Sequence, residues 1–141
     1  KDDKAYRSLT LSWYNNSNLK KIITKAKELG HKIIITTDHG TINVNTPSLV
    51  SGDKEISTNL RYKTAKKINS ETKKVIKIDD PSSFLLPSNY LSSCFIFAKE
   101  NTYFVYSNNY NNYVNMFKNT YQHGGVSLEE MLVPFVVIKP K

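Results

Sequence analysis

Residues 31–37 read His-Lys-Ile-Ile-Ile-Thr-Thr, and no other stretch narrows the fold as much. Every position from 33 to 37 is β-branched, which favours extended backbone over helix. The run does not alternate apolar with polar, so it predicts a strand covered on both faces, as in a parallel sheet. Ahead of it, Leu19, Ile22, Ile23, Ala26 and Leu29 recur at helical spacing with lysines opposite. Asn15-Asn16-Ser17-Asn18 offers N-caps, and Gly30 stands where a helix commonly stops. A helix feeding a buried strand is half of a β-α-β unit, so the expected class is α/β.

The rest of the chain is less decisive. Residues 6–13 alternate imperfectly and predict a short strand or an extended entry segment. Residues 43–52, interrupted by Asn45-Thr46-Pro47-Ser48, predict a loop. Residues 58–68 fit a strand or a helix equally. A short strand is expected at 75–78. Two apolar runs, 95–98 and 103–106, flank Lys99-Glu100-Asn101-Thr102 and predict a β-hairpin. Tyr110, Tyr113, Val114 and Phe117 mark an amphipathic helix within 108–119. Residues 131–138 form a final strand, with Pro134 confining it to an edge or placing the proline in its first residues.

Composition excludes several classes. No apolar run approaches the roughly 18 residues of a membrane span, and no signal-peptide pattern opens the chain. The single cysteine, Cys94, rules out an internal disulfide framework, reads as a buried small hydrophobe and suits a reducing cytoplasm. The net charge of +8 fits a nucleic acid, an anionic surface or an anionic substrate. The chain opens on Lys1-Asp2-Asp3-Lys4 rather than Met, and is expected to be the C-terminal piece of a longer protein.

Two of the three histidines stand in contexts that metal sites use. Asp38-His39-Gly40 leaves the Ile-rich strand, and ligands in open α/β sheets gather beyond the carboxyl ends of strands. Gly40 permits a sharp turn that lets both side chains converge on one ion; an ordinary turn explains the same residues. His123 precedes Gly124-Gly125 and then Ser127-Leu128-Glu129-Glu130, a capping-box sequence. It is either a ligand or part of a flexible lead into a capped helix. Glu129 and Glu130 are explained by capping and solvation. His31 lies at the opposite end of the strand, roughly 20 Å away for seven residues, and is read as structural or exposed. Arg61 and Lys63 could clamp a phosphate or belong to a solvated basic face. The aromatics of 106–121 could stack bases or pack a core. No phosphate-binding glycine loop, dinucleotide fingerprint, nucleophile elbow or cysteine zinc motif is present.

Taken together, Ile34-Ile35-Thr36-Thr37-Asp38-His39-Gly40 and the segment from Gln122-His123-Gly124-Gly125 through Glu129-Glu130-Met131-Leu132-Val133-Pro134 resemble the C-terminal part of PglZ domains, in the alkaline phosphatase superfamily. Gly52-Asp53-Lys54-Glu55, Asn59-Leu60-Arg61-Tyr62-Lys63 and Tyr106-Ser107-Asn108-Asn109-Tyr110-Asn111 are similar to the PglZ output domain of PorX-type response regulators, associated with type IX secretion. The resemblance implies that residues 1–141 are the C-terminal portion of a three-layer α/β sandwich with a mostly parallel central sheet and a small β-hairpin insertion. It implies two zinc ions, which suit mixed Asp and His ligands. Asp38 and His39 match the pair on the ion nearest the nucleophile, and His123 matches the last ligand of the other. The nucleophile, the other ligands and a receiver domain are expected upstream, so the chain alone is expected to hold no catalytic nucleophile and to be inactive.

The activity so implied is hydrolysis of a phosphate monoester or, in preference, a diester, nucleotide-type diesters among them, with Arg61 contacting substrate. The expected partners are that substrate, the upstream receiver domain and a second copy of the chain, with no membrane, in the cytoplasm. The competing expectation is a non-catalytic regulatory module with a degenerate metal site, binding a protein or nucleic acid through its basic face.

Overall fold

The computed structural model describes residues 3–52, 58–87 and 94–140. In chain order the elements are α1 (Asp3–Asn16), α2 (Asn18–Glu28), β1 (Ile33–Thr36), β2 (Ile42–Val44), β3 (Thr46–Gly52), β4 (Tyr62–Ala65), β5 (Ile68–Ser70), β6 (Val75–Ile78), β7 (Cys94–Ala98), β8 (Thr102–Val105), α3 (Tyr110–Phe117), β9 (Thr120–Gln122), α4 (Leu128–Met131) and β10 (Phe135–Ile138). They divide into two units, one of residues 1–37 with 134–141 and the other Asp38–Val133. Residues 53–55 of the Gly52-Asp53-Lys54-Glu55 motif lie outside the described residues.

The first unit holds α1, α2, β1 and β10. Residues 6–13 are helical, not the short strand or extended segment expected. Tyr6, Leu9, Thr10 and Trp13 stand at i, i+3, i+4 and i+7, a helical period that outweighs the partial alternation. The Thr10 hydroxyl donates to the Tyr6 carbonyl one turn back, 2.9 Å away. As expected, α2 ends ahead of Gly30, whose φ of +77° is the left-handed conformation that favours glycine at this position. β1 pairs antiparallel with β10, Ile33 opposite Ile138 and Thr36 opposite Phe135. The doubly covered parallel strand is therefore not found; Ile34 and Ile35 are exposed in this chain. Pro134 precedes β10 and needs no ladder partner there.

The second unit is built on two three-stranded sheets, ordered β5-β3-β8 and β4-β7-β6, with β2 and β9 paired as a separate ribbon. Five of the six ladders among the described residues are antiparallel; β3 with β8 is the parallel one. The mostly parallel central sheet gives way to a mixed α/β arrangement of several small sheets. Val50, Ala65, Ile68, Val75, Cys94, Ile96, Ala98 and Phe104 form one buried cluster drawn from both three-stranded sheets. Cys94 is the buried hydrophobe expected of it.

Two local expectations fail for identifiable reasons. Residues 43–52 are strands rather than loop. Pro47 is tolerated because residues 46–49 of β3 pair only with β8, while β5 pairs with residues 50–52. Residues 95–98 and 103–106 are strands but not a hairpin. The turn at Glu100, with φ of +47°, sends β8 to β3 and leaves β7 between β4 and β6. Residues 60 and 61 stitch the sheets: the Phe104 N–H donates to the Leu60 carbonyl and the Ala98 N–H to the Arg61 carbonyl, at 2.9 and 2.8 Å.

Ile96 is fully enclosed in this core, whereas Leu85 is 95% exposed. Ile96→Ala is expected to cost about 2–5 kcal/mol in urea unfolding, and Leu85→Ser to stay within about 0.5 kcal/mol. Equal effects would show that the two sheets do not share a core.

Candidate metal centre

Residues 38–40 are docked by their backbone. The Gly40 N–H donates to the Glu130 carbonyl oxygen at 2.9 Å. A Cβ at Gly40 would fall 1.9 Å from the Glu129 carbonyl oxygen, so only glycine permits this approach. The His39 Nδ1 lies 2.9 Å from the Gly40 carbonyl oxygen. A carbonyl can only accept, so Nδ1 carries a hydrogen. The Asp38 Oδ1 lies 3.6 Å from that Nε2. A carboxylate oxygen and the second ring nitrogen of His39 thus stand side by side.

The second strand of the site is held by Glu130. Its carboxylate takes a two-pronged ion pair from Arg61, Nε to Oε1 and Nη2 to Oε2, both at 2.8 Å. It also accepts the Gly125 N–H at 2.9 Å and the Ser127 N–H at 3.2 Å. The last contact is the side-chain half of the capping box read from the sequence. A Cβ at Gly125 would stand 2.6 Å from a Glu130 oxygen, so the glycine is what lets the carboxylate in. The Glu130 side chain is 1% exposed and that of Arg61 0%, so neither is solvated.

Arg61 spends a further donor on the Thr102 carbonyl oxygen. Asn59, next but one before it, accepts the Arg61 and Tyr62 N–H groups at 2.7 and 3.1 Å and lies 3.5 Å from the His123 carbonyl oxygen. With its guanidinium enclosed and turned onto Glu130, Arg61 does not present to a substrate. The expectation that it clamps a phosphate gives way to a positioning role. Lys63 is also buried, and its ammonium donates to the Tyr106 hydroxyl at 2.8 Å. Burial lowers its pKa from 10.5 to about 8.

The structure brings the two histidines together. The rings of His39 and His123 stack, centroids 3.8 Å apart and planes within 12°. His31 is exposed in the other unit. An ion bound about 2.1 Å from a ring nitrogen lies near that ring's plane. Near-parallel planes at this separation share no such point, so the two imidazoles cannot both bind one ion as they stand. Among the described residues, no group of three or more His, Cys, Asp or Glu is arranged to hold a metal ion. The donors are chemically apt for two neighbouring ions, Asp38 with His39 on one side and His123 on the other, but they enclose neither.

Beside His123 lies a cavity of about 360 Å³, lined among others by Asn59, Tyr106, Tyr113, Phe117 and Gln122. The histidines and the cap were visible in the sequence, but the Arg61–Glu130 pair was not, because its partners lie in distant segments. The one available signal was a carboxylate at the third position of a capped helix. No helix among the described residues is long and apolar enough to cross a membrane.

A family model described as the BREX system PglZ alkaline phosphatase-like domain matches residues 6–138. No curated protein matches the chain.

Two stability measurements test the buried groups. Glu130→Ala is expected to cost about 3–5 kcal/mol by leaving a buried guanidinium, and Arg61→Met with Glu130→Leu to cost much less than the two single changes summed. Burial would raise the Glu130 carboxyl, but the hydrogen bonds from Arg61, Gly125 and Ser127 outweigh it and hold the pKa below 4.5. Its stabilisation is therefore complete above the unfolded value and lost as pH falls through the folded one. Urea midpoints should fall on acidification below about pH 4.5 in the native protein and less so in the double variant. Additive single changes would sink the ion-pair account. For Lys63 the sign reverses: the unfolded chain binds more protons between pH about 8 and 10.5, so stability should rise across that window. Lys63→Met should flatten the rise; an unchanged slope would place its origin elsewhere.

Proposed function

The chain belongs to the PglZ alkaline phosphatase-like domain family, and from that premise we propose that it supplies part of a metal-dependent phosphoesterase site, with phosphodiesters the favoured class. The observation that carries the reading is the meeting of His39 and His123, far apart in sequence, with Asp38 alongside. Asp38 and His39 would serve one divalent ion and His123 a second, zinc being apt for such donors. When bound, such ions polarise the phosphoryl oxygens and lower the pKa of a coordinated hydroxyl.

The chain's own residues orient and hold. The Gly40 carbonyl fixes the tautomer of a neutral His39 ring that directs a lone pair from Nε2, the kind of outer contact that tunes a ligating imidazole. Glu130 joins three segments, through its carbonyl to Gly40 and through its carboxylate to Arg61 and to the Gly125–Ser127 turn. Positional precision of this kind matters because phosphoryl transfer depends on groups held in place beforehand. The nucleophile and the remaining ligands would come from another segment of the domain, so this chain alone should bind metal weakly and turn over no ester.

The narrower reading, a PorX-type output domain with a receiver domain upstream and a role in type IX secretion, draws support from short motifs alone. Asn59, Arg61, Lys63 and Tyr106 within those motifs have structural work here, so they speak for the domain rather than for a regulator. The description of the matching family points instead to a BREX system. The basic-face alternative rests on the exposed lysines at Lys20, Lys21, Lys25 and Lys32, since Arg61 and Lys63 are buried and add nothing to such a face.

Equilibrium dialysis against Zn²⁺ tests the proposal. His39→Ala and His123→Ala should each weaken uptake by at least about tenfold, as loss of metal-site groups does. His31→Ala should leave uptake unchanged. Uptake indifferent to both His39 and His123 would refute the site. In a protein carrying the whole domain, turnover of bis(4-nitrophenyl) phosphate should vanish with a chelator and with either substitution.

A further inference from the structure

We propose that the cavity beside His123 receives the organic group of the ester and is shaped for a flat aromatic ring; this rests on the phosphoester reading above. At about 360 Å³ it lies near the small end of ligand pockets, with room for a ring system rather than a long chain. Four aromatic residues from two segments line it, Phe104 and Tyr106 from one and Tyr113 and Phe117 from the other. Tyr113 and Phe117, one turn apart on α3, hold their rings parallel within 8° with centroids 6.1 Å apart, and both line the cavity. Tyr106, just after β8, meets Tyr113 edge-on at 71° and 6.4 Å. A π face bordered by a ring edge is the arrangement that stacks a further ring in offset geometry.

These rings do more than fill a core. Tyr113 and Phe117 are half-buried, one side packing against the Val44, Tyr103 and Val105 cluster while the side chains also line the cavity. Tyr106 is anchored by the Lys63 ammonium at 2.8 Å, and Lys63 is fully enclosed. A buried lysine is a costly way to fix one phenol, and it makes Tyr106 a rigid wall. The rim is polar, with Asn59, Gln122 and His123. His123 therefore belongs both to the cavity and to the stacked histidine pair. A phosphate near the histidines would leave its organic group over the aromatic wall.

Ligand titrations followed by NMR on a protein carrying the whole domain, loaded with Zn²⁺, test this with inorganic phosphate, methyl phosphate, phenyl phosphate and phenol as probes. Phenyl phosphate should bind about tenfold more tightly than methyl phosphate, the scale of one ring stacking on aromatic side chains, and should shift the Tyr113 ring signals. Tyr113→Leu, which keeps an apolar wall without a π face, should erase that preference and leave inorganic phosphate affinity unchanged. The comparison in the unsubstituted protein stands even if that variant folds poorly. Equal binding of phenyl and methyl phosphate would overturn the proposal. Phosphate binding without a phenyl preference would discard the aromatic site and keep the phosphoester reading. Phenol shifting Tyr113 while phosphate fails to bind would keep the aromatic site and discard that reading.

Discussion

Glu130 is the joint on which the second unit's candidate site turns. A carboxylate and a guanidinium removed from water are unfavourable unless each finds its full complement of partners. Here the complement comes from every segment that matters. Arg61 brings the turn between the two sheets, Gly125 and Ser127 bring the loop after His123, and the Glu130 backbone receives Gly40 beside His39. Two glycines are obligatory for the same reason, since a methyl group at either would strike Glu129 or Glu130. The ion pair thus does for geometry what a larger core would do for stability.

That arrangement explains how small, mostly antiparallel sheets can position groups that the sequence suggested would sit at the rim of a parallel one. The strands are short and their ladders separate, so no single sheet carries the site. Position is transmitted through backbone hydrogen bonds at residues 60 and 61, which tie both three-stranded sheets to the segment bearing Arg61. The stacked imidazoles lie at the end of this chain of contacts. Their near-parallel planes leave no point at which both rings could bind one ion.

Much of the local structure was legible. The helix ending ahead of Gly30, the helix around Tyr113, the strand at 75–78 and the cap at Ser127 all follow from local spacing and end signals. The placing of Asp38 beside His39 was legible too, but Gly40 was read as the hinge of a turn, and its close approach to the Glu129 carbonyl was not foreseen. Misreadings arose where two periods competed, as in residues 6–13, or where a proline was judged without knowing its strand's neighbours, as at Pro47. Burial of Arg61 and Lys63 was not legible at all. A basic residue reads as solvated until its partner is known, and Glu130 and Tyr106 are remote in sequence. The fold class was accessible from the family resemblance, but the sheet direction was not, because a β-branched run suits either pairing.

The most direct test is a nuclear Overhauser measurement between the ring protons of His39 and His123 in isotopically labelled protein. The account requires a strong cross-peak in the native protein, one that disappears when Glu130 is replaced by alanine under conditions where the sheets remain folded. Absence of the cross-peak in the native protein, or its persistence without Glu130, would contradict the claim that this buried carboxylate holds the two histidines together.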